Sequence, residues 1–278
     1  MKTLIIGKSS NLSNRLMNFV EDGVLLSTHD ICNEEISWKS YQGEKVNIIF
    51  NNFQKATMLN DLTSPVNYVK YSILATSLVL ENLAKHQNIN KIIYTSSSSV
   101  YGNNIFCKES DEIKPINLHA SLKASNERLI EQFCKLHNID YTIARVFNMY
   151  GGDDTFSIIS KIINSYIKNE TLTIANHGSS IRDFIYIDDV AKIYTNILTL
   201  KNLPILNIGS GEGVSIKNII DYLKLNNINI KTANISRDEI KMSTADNSTL
   251  LNYIESIEFT KVEDYILKAL KENSRISN

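Results

Sequence analysis

Short apolar runs alternate with longer amphipathic stretches along the first half of the chain. Leu4 to Gly7, Val24 to Leu26, Val46 to Phe50, Lys91 to Thr95 and Tyr141 to Val146 suit strands buried on both faces. Between them, helices are predicted over about Asn11 to Glu21, Val66 to His86 and Leu118 to His137. In the second helix, Val69, Ile73, Leu74, Leu80 and Leu83 follow a 3.6-residue period. Strand and helix in strict alternation require right-handed crossovers, and so a parallel sheet covered on both faces. The pattern predicts an α/β chain built on a doubly wound parallel sheet, with ligands beyond the carboxyl ends of its strands.

After Gly151-Gly152 the pattern becomes mixed. Helices are expected over about Phe156 to Lys168, Val190 to Leu200, Ser215 to Leu225 and Val262 to Leu270. Strands are expected at Thr171 to Ile174, Phe184 to Ile187 and Leu203 to Ile208. The change divides the chain into 1–150 and 151–278, with some late elements returning to the first sheet.

Composition narrows the function. The 278 residues are enough to bury a full core. The 29 basic and 30 acidic residues nearly cancel, which argues against a nucleic-acid or membrane-surface partner held by bulk charge. Cys32, Cys107 and Cys134 are odd in number and lack metal-ligand spacing, so reduced thiols and no metal site are expected. His86, His137 and His177 are equally scattered and are assigned to surface or packing, and Trp38 falls in a polar connection. The first apolar run is too short for a signal peptide, and Ser72 to Leu80 falls short of the ~20 residues of a spanning helix. A soluble cytoplasmic protein is the expectation.

Nine segments carry candidate chemistry. The first turn is Gly7-Lys8-Ser9-Ser10-Asn11-Leu12-Ser13, where strand gives way to helix. After the second strand, Leu26-Ser27-Thr28-His29-Asp30 places Asp30 late for an adenosine-ribose acceptor, which leaves NAD or NADP open. Tyr94-Thr95-Ser96-Ser97-Ser98-Ser99-Val100-Tyr101-Gly102 is a Ser-rich turn directly after an apolar strand. Pro115 to Glu127 holds His119 and Lys123 four residues apart, on one helix face. The second half carries Ala144 to Gly151, Gly178 to Ala191, Leu206 to Ile216, Arg237-Asp238-Glu239 and Ala245-Asp246-Asn247-Ser248. Asp188 and Asp189 precede a helix, which favours a helix-start role over a paired acid/base or metal site. Ser215 is placed to cap the helix that follows it.

These segments together resemble the extended short-chain dehydrogenase/reductase family, of the NAD-dependent epimerase/dehydratase type that modifies nucleotide sugars. The resemblance spans about residues 2 to 255. It implies a Rossmann fold over 1–150 for the dinucleotide and a smaller, mainly substrate-binding region over 151–278. Gly7 keeps the first position of the G-x-x-G-x-x-G turn, while Ser10 and Ser13 replace the second and third glycines. Gly7, Ser10, Asn11, Leu12 and Lys123 are the implied cofactor contacts. Ser97 matches the catalytic Ser/Thr, Lys123 and Glu127 match the Tyr-x-x-x-Lys frame, and His119 stands in place of the tyrosine. Histidine titrates near neutrality and a nearby lysine favours its neutral form, so His119 is either a substitute acid/base or a sign of reduced redox activity.

By the same resemblance, Asn148, Arg182 and Arg237 contact the substrate diphosphate or sugar, since guanidinium offers paired donors to phosphate. The bland alternative pairs Arg182 with Asp183 or Asp188. The implied partner is a nucleotide-diphosphate sugar, and the implied chemistry is hydride transfer through a keto sugar. The short chain also admits a 4-keto reductase, and the altered residues admit a catalytically impaired nucleotide-sugar-binding protein. Homodimers formed through the helix at Leu118 to His137 complete the expectation.

Overall fold

The computed structural model describes residues 1–41, 43–52, 64–85, 89–254 and 257–276. Two compact units emerge. The first comprises Met1–Gly102, Glu112–Val146 and Ala191–Leu206, and the second Asn103–Asp111, Phe147–Val190 and Asn207–Asn278. Residues 191–206 therefore belong with the first sheet. Asn103–Asp111, read from the sequence as part of the first domain, belongs to the second because its strand pairs there.

In chain order the first unit has β1 (Thr3–Ile6), α1 (Asn11–Leu16), β2 (Gly23–Leu26), α2 (Thr28–Cys32), β3 (Val46–Phe50), α3 (Pro65–Val69), a π-helical stretch (Lys70–Leu74), α4 (Ala75–Ala84) and β4 (Ile89–Ser97). The second unit contributes β5 (Phe106–Cys107), after which α5 (Leu118–His137) and β6 (Asp140–Val146) return to the first. β1 and β3 are buried at every residue, as strands covered on both faces must be. β1 pairs in parallel with β2 and β3, and β4 pairs in parallel with β3 and β6. The chain runs from β1 outward to β2, then crosses to β3 on the other side. The switch point between β1 and β3 is where doubly wound sheets open a ligand crevice.

Helix boundaries depart from the sequence pattern at α1 and α4 of the first unit, and later at the helix Ile187–Ile197, which begins before Val190, and at the helix Val262–Ile276, which runs beyond Leu270. α1 stops at Leu16 rather than near Glu21, because Asn18 and Phe19 donate three residues back, to Arg15 and Leu16. The predicted helix from Val66 is interrupted by the π-helical stretch, where the Asn52 carboxamide donates to the carbonyls of Tyr71 and Ser72 at 3.3 and 3.1 Å. His86 lies outside the described residues. α5 has the predicted bounds because both ends are capped: Asn117 Oδ1 accepts from Ala120 N at 2.9 Å, and Asn138 ends the helix in the left-handed region.

The second unit continues with β7 (Asn148–Tyr150), α6 (Ile158–Ile167), β8 (Leu172–Ala175) and β9 (Ile181–Tyr186), and the chain returns to the first unit within α7 (Ile187–Ile197). Then come β10 (Ile205–Ile208), β11 (Gly213–Ser215), α8 (Ile216–Leu225), β12 (Thr232–Ile235), β13 (Met242–Ala245), α9 (Ser248–Tyr253) and α10 (Val262–Ile276). β10 joins the edge of the first sheet beside β6, giving the order β10-β6-β4-β3-β1-β2. In the second unit β9 is central, with β7, β11 and β13 as neighbours. Its apolar core gathers Tyr150, Ile162, Phe184, Ile219, Leu223 and Ile266. Trp38 sits in a short 3-10 turn and packs partly against the first core. Among the described residues, no helix is long and apolar enough to cross a membrane.

Candidate active site

The turn between β1 and α1 is set by packing. Gly7 has φ +104, and a Cβ there would stand 2.5 Å from the Asn51 carbonyl at the end of β3, so a side chain is excluded on two grounds. Ser10 precedes α1 and its hydroxyl does not cap the helix. Asn11 is half-buried, and Leu12 is fully buried. Ser13, in the third glycine position, is buried as well, and its hydroxyl accepts a bond from Asn51 Nδ2 at 3.2 Å. The serine fits because a neighbouring carboxamide satisfies it, a compensation invisible in the local motif.

Asn51 continues into a chain of buried polar groups. Thr95 Oγ1 donates to Asn51 Oδ1 and accepts from Tyr194 OH at 2.7 Å. Two residues on, Ser97 Oγ accepts from the amide and hydroxyl of Ser99, at 3.2 and 2.9 Å, which shapes the 3-10 turn Ser98–Tyr101. The turn closes at Gly102, φ +65, where a Cβ would meet the Lys114 carbonyl at 2.2 Å.

α5 turns Lys123 and Glu127 into the protein together with Ala120 and Ile130. Lys123 is 4% exposed and its Nζ donates to the Thr95 carbonyl at 2.7 Å, 5.0 Å from the centre of the Tyr94 ring. Burial drives the Lys123 pKa well down, against the pull of Glu127. Glu127 grips Arg145 through Nη2–Oε2 at 2.8 Å and Nε–Oε1 at 3.2 Å, and also accepts from the Ser96 hydroxyl. Arg145 Nη1 reaches Tyr101 OH at 3.0 Å. The Ser-rich turn is thereby anchored to β6 through an ion pair.

His119 is half-buried on the first turn of α5. Burial, and then the charge of Lys123, push its pKa down to about 4, so the imidazole is neutral at physiological pH. Between pH 6.5 and 4 the unfolded chain takes up a proton that the folded chain refuses, so stability falls as pH falls through that window. Allowing for partial exposure, acidification from pH 7 to 4.5 should cost the protein about 2 kcal/mol more than it costs a His119→Asn variant. Urea melts at the two pH values measure this; equal acid losses would mean the imidazole is not held neutral.

The second unit places Arg182 and Asp183 on opposite faces of β9, as alternate residues of a strand must be. Asp183 is fully buried and accepts from the amides of Ser210, Gly211 and Ala245 and from the Ser210 hydroxyl, at 2.8 to 3.1 Å. Burial nevertheless raises its pKa, opposed by those bonds. Arg182 faces a cavity of about 300 Å³ that Asn148, Lys161, Phe184, Arg237 and Glu239 also line. Its Nη1 donates to the Ile181 carbonyl at 2.9 Å, and its Nη2 lies 3.8 Å from Glu239 Oε2. Arg182 thus pairs with Glu239, not with Asp183 or Asp188. Arg237 Nη2 lies 3.4 Å from the same Glu239 oxygen. Asn148 Nδ2 donates to the Asp183 carbonyl at 3.0 Å.

Within the second unit the fold brings Asn148, Arg182 and Arg237 to one cavity. Within the first it docks Lys123 at the end of β4, two residues from Ser97. Sequence reading passed over Asn51, Thr95, Tyr194 and the anchoring role of Arg145. Glu239 enters the sequence reading only as a member of the segment Arg237-Asp238-Glu239. Ser215 Oγ accepts from Asn218 N at 3.0 Å and caps α8, and Asp188 and Asp189 stand in the first turn of α7, where Asp189 accepts from Thr260 N at 2.8 Å. Among the described residues the one cluster with metal-ligand spacing is His29, Asp30 and Glu35, two of them exposed.

Residues 7–209 match the model of the NAD dependent epimerase/dehydratase family. A putative UDP-glucose 4-epimerase of Methanocaldococcus jannaschii is 31% identical over 198 residues, which are 69% of this chain and 63% of the relative. A dTDP-D-glucose 4,6-dehydratase of Dictyostelium discoideum is 28% identical over 216 residues, 72% of this chain and 49% of that protein. The chain thus spans between about half and just under two thirds of these curated relatives. The structure of MoeE5 in complex with UDP-glucuronic acid and NAD aligns with TM-score 0.85 at 20% identity, covering 100% of both chains. That of UDP-glucuronic acid 4-epimerase from Bacillus cereus, in complex with UDP-glucuronic acid and NAD, aligns with TM-score 0.84 at 22% identity, over 99% of this chain and 100% of that one. At such identities the structural likeness establishes the fold.

Proposed function

Because this chain belongs to the NAD-dependent epimerase/dehydratase family, we propose that it is an NAD-dependent enzyme acting on a nucleoside-diphosphate sugar through a keto-sugar intermediate. The observation that carries the reading is the cavity of the second unit, which two arginines and Lys161 line. Paired guanidiniums are matched to the oxygens of a diphosphate. Asn148 is assigned to the substrate from the same wall. Similar proteins bear the names UDP-glucose 4-epimerase and dTDP-D-glucose 4,6-dehydratase, which supports an epimerase or dehydratase over a 4-keto reductase.

The turn after β1 fits a dinucleotide. Gly7 keeps its backbone clear of a side chain, and the Ser10 hydroxyl is not spent on capping α1. Gly7, Ser10, Asn11 and Leu12 would hold the pyrophosphate, and Lys123 the nicotinamide ribose. NAD, when bound, supplies the hydride acceptor. The Ser97 hydroxyl orients the reacting oxygen, and an imidazole nitrogen of His119 takes the proton of the sugar hydroxyl being oxidised. We assign a homodimer to the face where α4 and α5 form an apolar groove with Leu80, Leu129 and Phe133. A cytoplasmic location accords with the free thiols of Cys32, Cys107 and Cys134.

Calorimetric titration of UDP-glucose tests the carrying observation. Arg182→Ala should weaken binding by about 30- to 100-fold, since it removes a half-buried cation from the cavity. Unchanged affinity would remove the diphosphate from this cavity. A second reading, a nucleotide-sugar-binding protein without turnover, is favoured by the acidic pKa of His119, which makes it a weak base at neutral pH. Mass spectrometry of nicotinamide released on denaturation, followed by an assay of hydride exchange, decides between the two.

A further inference from the structure

The cation cavity of the second unit contains its own anion. Glu239 Oε2 lies 3.4 Å from Arg237 Nη2 and 3.8 Å from Arg182 Nη2, so one carboxylate oxygen sits between the two guanidiniums. Its other oxygen accepts from Ser180 Oγ at 2.7 Å and Asn176 Nδ2 at 3.2 Å, which holds the carboxylate in place from outside the ion pairs. The side chain is 16% exposed against 64% for Arg237, so the acid sits deeper than one of the bases it neutralises. Partial burial raises its pKa, but the bonds from Ser180, Asn176 and Arg237 outweigh burial and keep it ionised. Formal charges on the cavity wall are three positive, from Lys161, Arg182 and Arg237, and one negative, which leaves a net of two.

We propose that Glu239 is a specificity residue that trims this cavity to the two negative charges of a diphosphate diester, as in a sugar nucleotide, and discriminates against a free nucleoside diphosphate. The inference rests on the reading of the cavity as a diphosphate site. A sugar nucleotide has no terminal phosphate and carries two charges on its diphosphate. A free nucleoside diphosphate ends in a phosphate whose second ionisation lies near pH 6 and so carries a third charge at pH 8. Three uncompensated cations would favour the triply charged ligand. One fixed carboxylate removes that advantage and adds repulsion, which is how an interface rejects a near neighbour of its ligand. In an enzyme of this class, the effect limits occupation of the site by free nucleotide.

The test is titration of UDP and UDP-glucose into the full chain and its Glu239→Gln variant at pH 8, with Arg182→Ala as control. Glutamine retains the length of the side chain and an acceptor for Ser180, and a thermal melt of the variant checks folding. Glu239→Gln should bind both ligands more tightly and should favour UDP over UDP-glucose by about tenfold more than the parent does. At pH 5, where UDP loses its third charge, that extra preference should vanish. Weaker binding of both ligands to Glu239→Gln would show that Glu239 contacts the ligand directly and would overturn the proposal. An unchanged UDP to UDP-glucose ratio would overturn it as well. If Arg182→Ala binds both ligands as the parent does, or if the parent binds neither, the diphosphate reading of the cavity fails first, and the proposal with it.

Discussion

Glu127→Ala is expected to lower the free energy of unfolding by about 3–5 kcal/mol, the cost of breaking one side of a buried ion pair. Glu127 and Arg145 are only 5% and 4% exposed at their side chains, and they meet through two N–H···O bonds. Burial alone lowers the pKa of Arg145, yet Glu127 and Tyr101 raise it further, so the guanidinium stays charged. Removing the carboxylate takes the counter-charge from that guanidinium and the acceptor from Ser96. The thermal midpoint should fall by about 6–20 °C, at roughly 2–4 °C per kcal/mol for a chain of this size. Glu127→Leu combined with Arg145→Leu should be far milder than the sum of the single changes, because no lone charge remains. A loss below about 1 kcal/mol in Glu127→Ala would mean that Arg145 finds another partner or water.

His119→Ala is expected to reduce turnover by about 10²–10⁴-fold, the usual contribution of a positioned general acid or base. The residue has an unusual setting for that task. A conjugate acid of pKa about 4 makes the imidazole available as an acceptor at every physiological pH, but gives it little driving force to take a proton. The acid limb of kcat/KM should therefore fall near pH 4, well below the 6.5 of an ordinary histidine, and should disappear in the alanine variant. Steady-state rates with UDP-glucose from pH 4 to 8 measure both. Equal rates for His119→Ala and the parent would remove the residue from the chemistry, and a binding protein or a different base would take its place.

The candidate site was legible in the sequence to the extent that it is local. Lys123 and Glu127 lie one turn apart on a helix whose caps, Asn117 and Asn138, flank the predicted ends. Arg182 and Asp183 are adjacent on a strand, and the period of two alone sends them to opposite faces. What escaped the sequence reading is distant in the chain or weak in pattern. β12 is exposed at every residue and β5 has only two, so neither carries a hydrophobic period to detect. Ser13 looks like damage to a glycine motif until Asn51, 38 residues on, is found bonded to it.

The alternation of strand and helix, the Lys123 frame on α5 and the arginine of β9 were determined by the sequence itself, because hydrophobic period and helical spacing act over a few residues. Only the tertiary structure decided that Tyr194, 99 residues from Thr95, completes the buried chain to Asn51. It also decided that residues 191–206 join the first unit, that Arg145 anchors the Ser-rich turn, and that Glu239 lies between two arginines. Those outcomes depend on the path of the backbone between distant segments, and a charged or polar residue does not signal its partner until the fold has brought the two within hydrogen-bond reach.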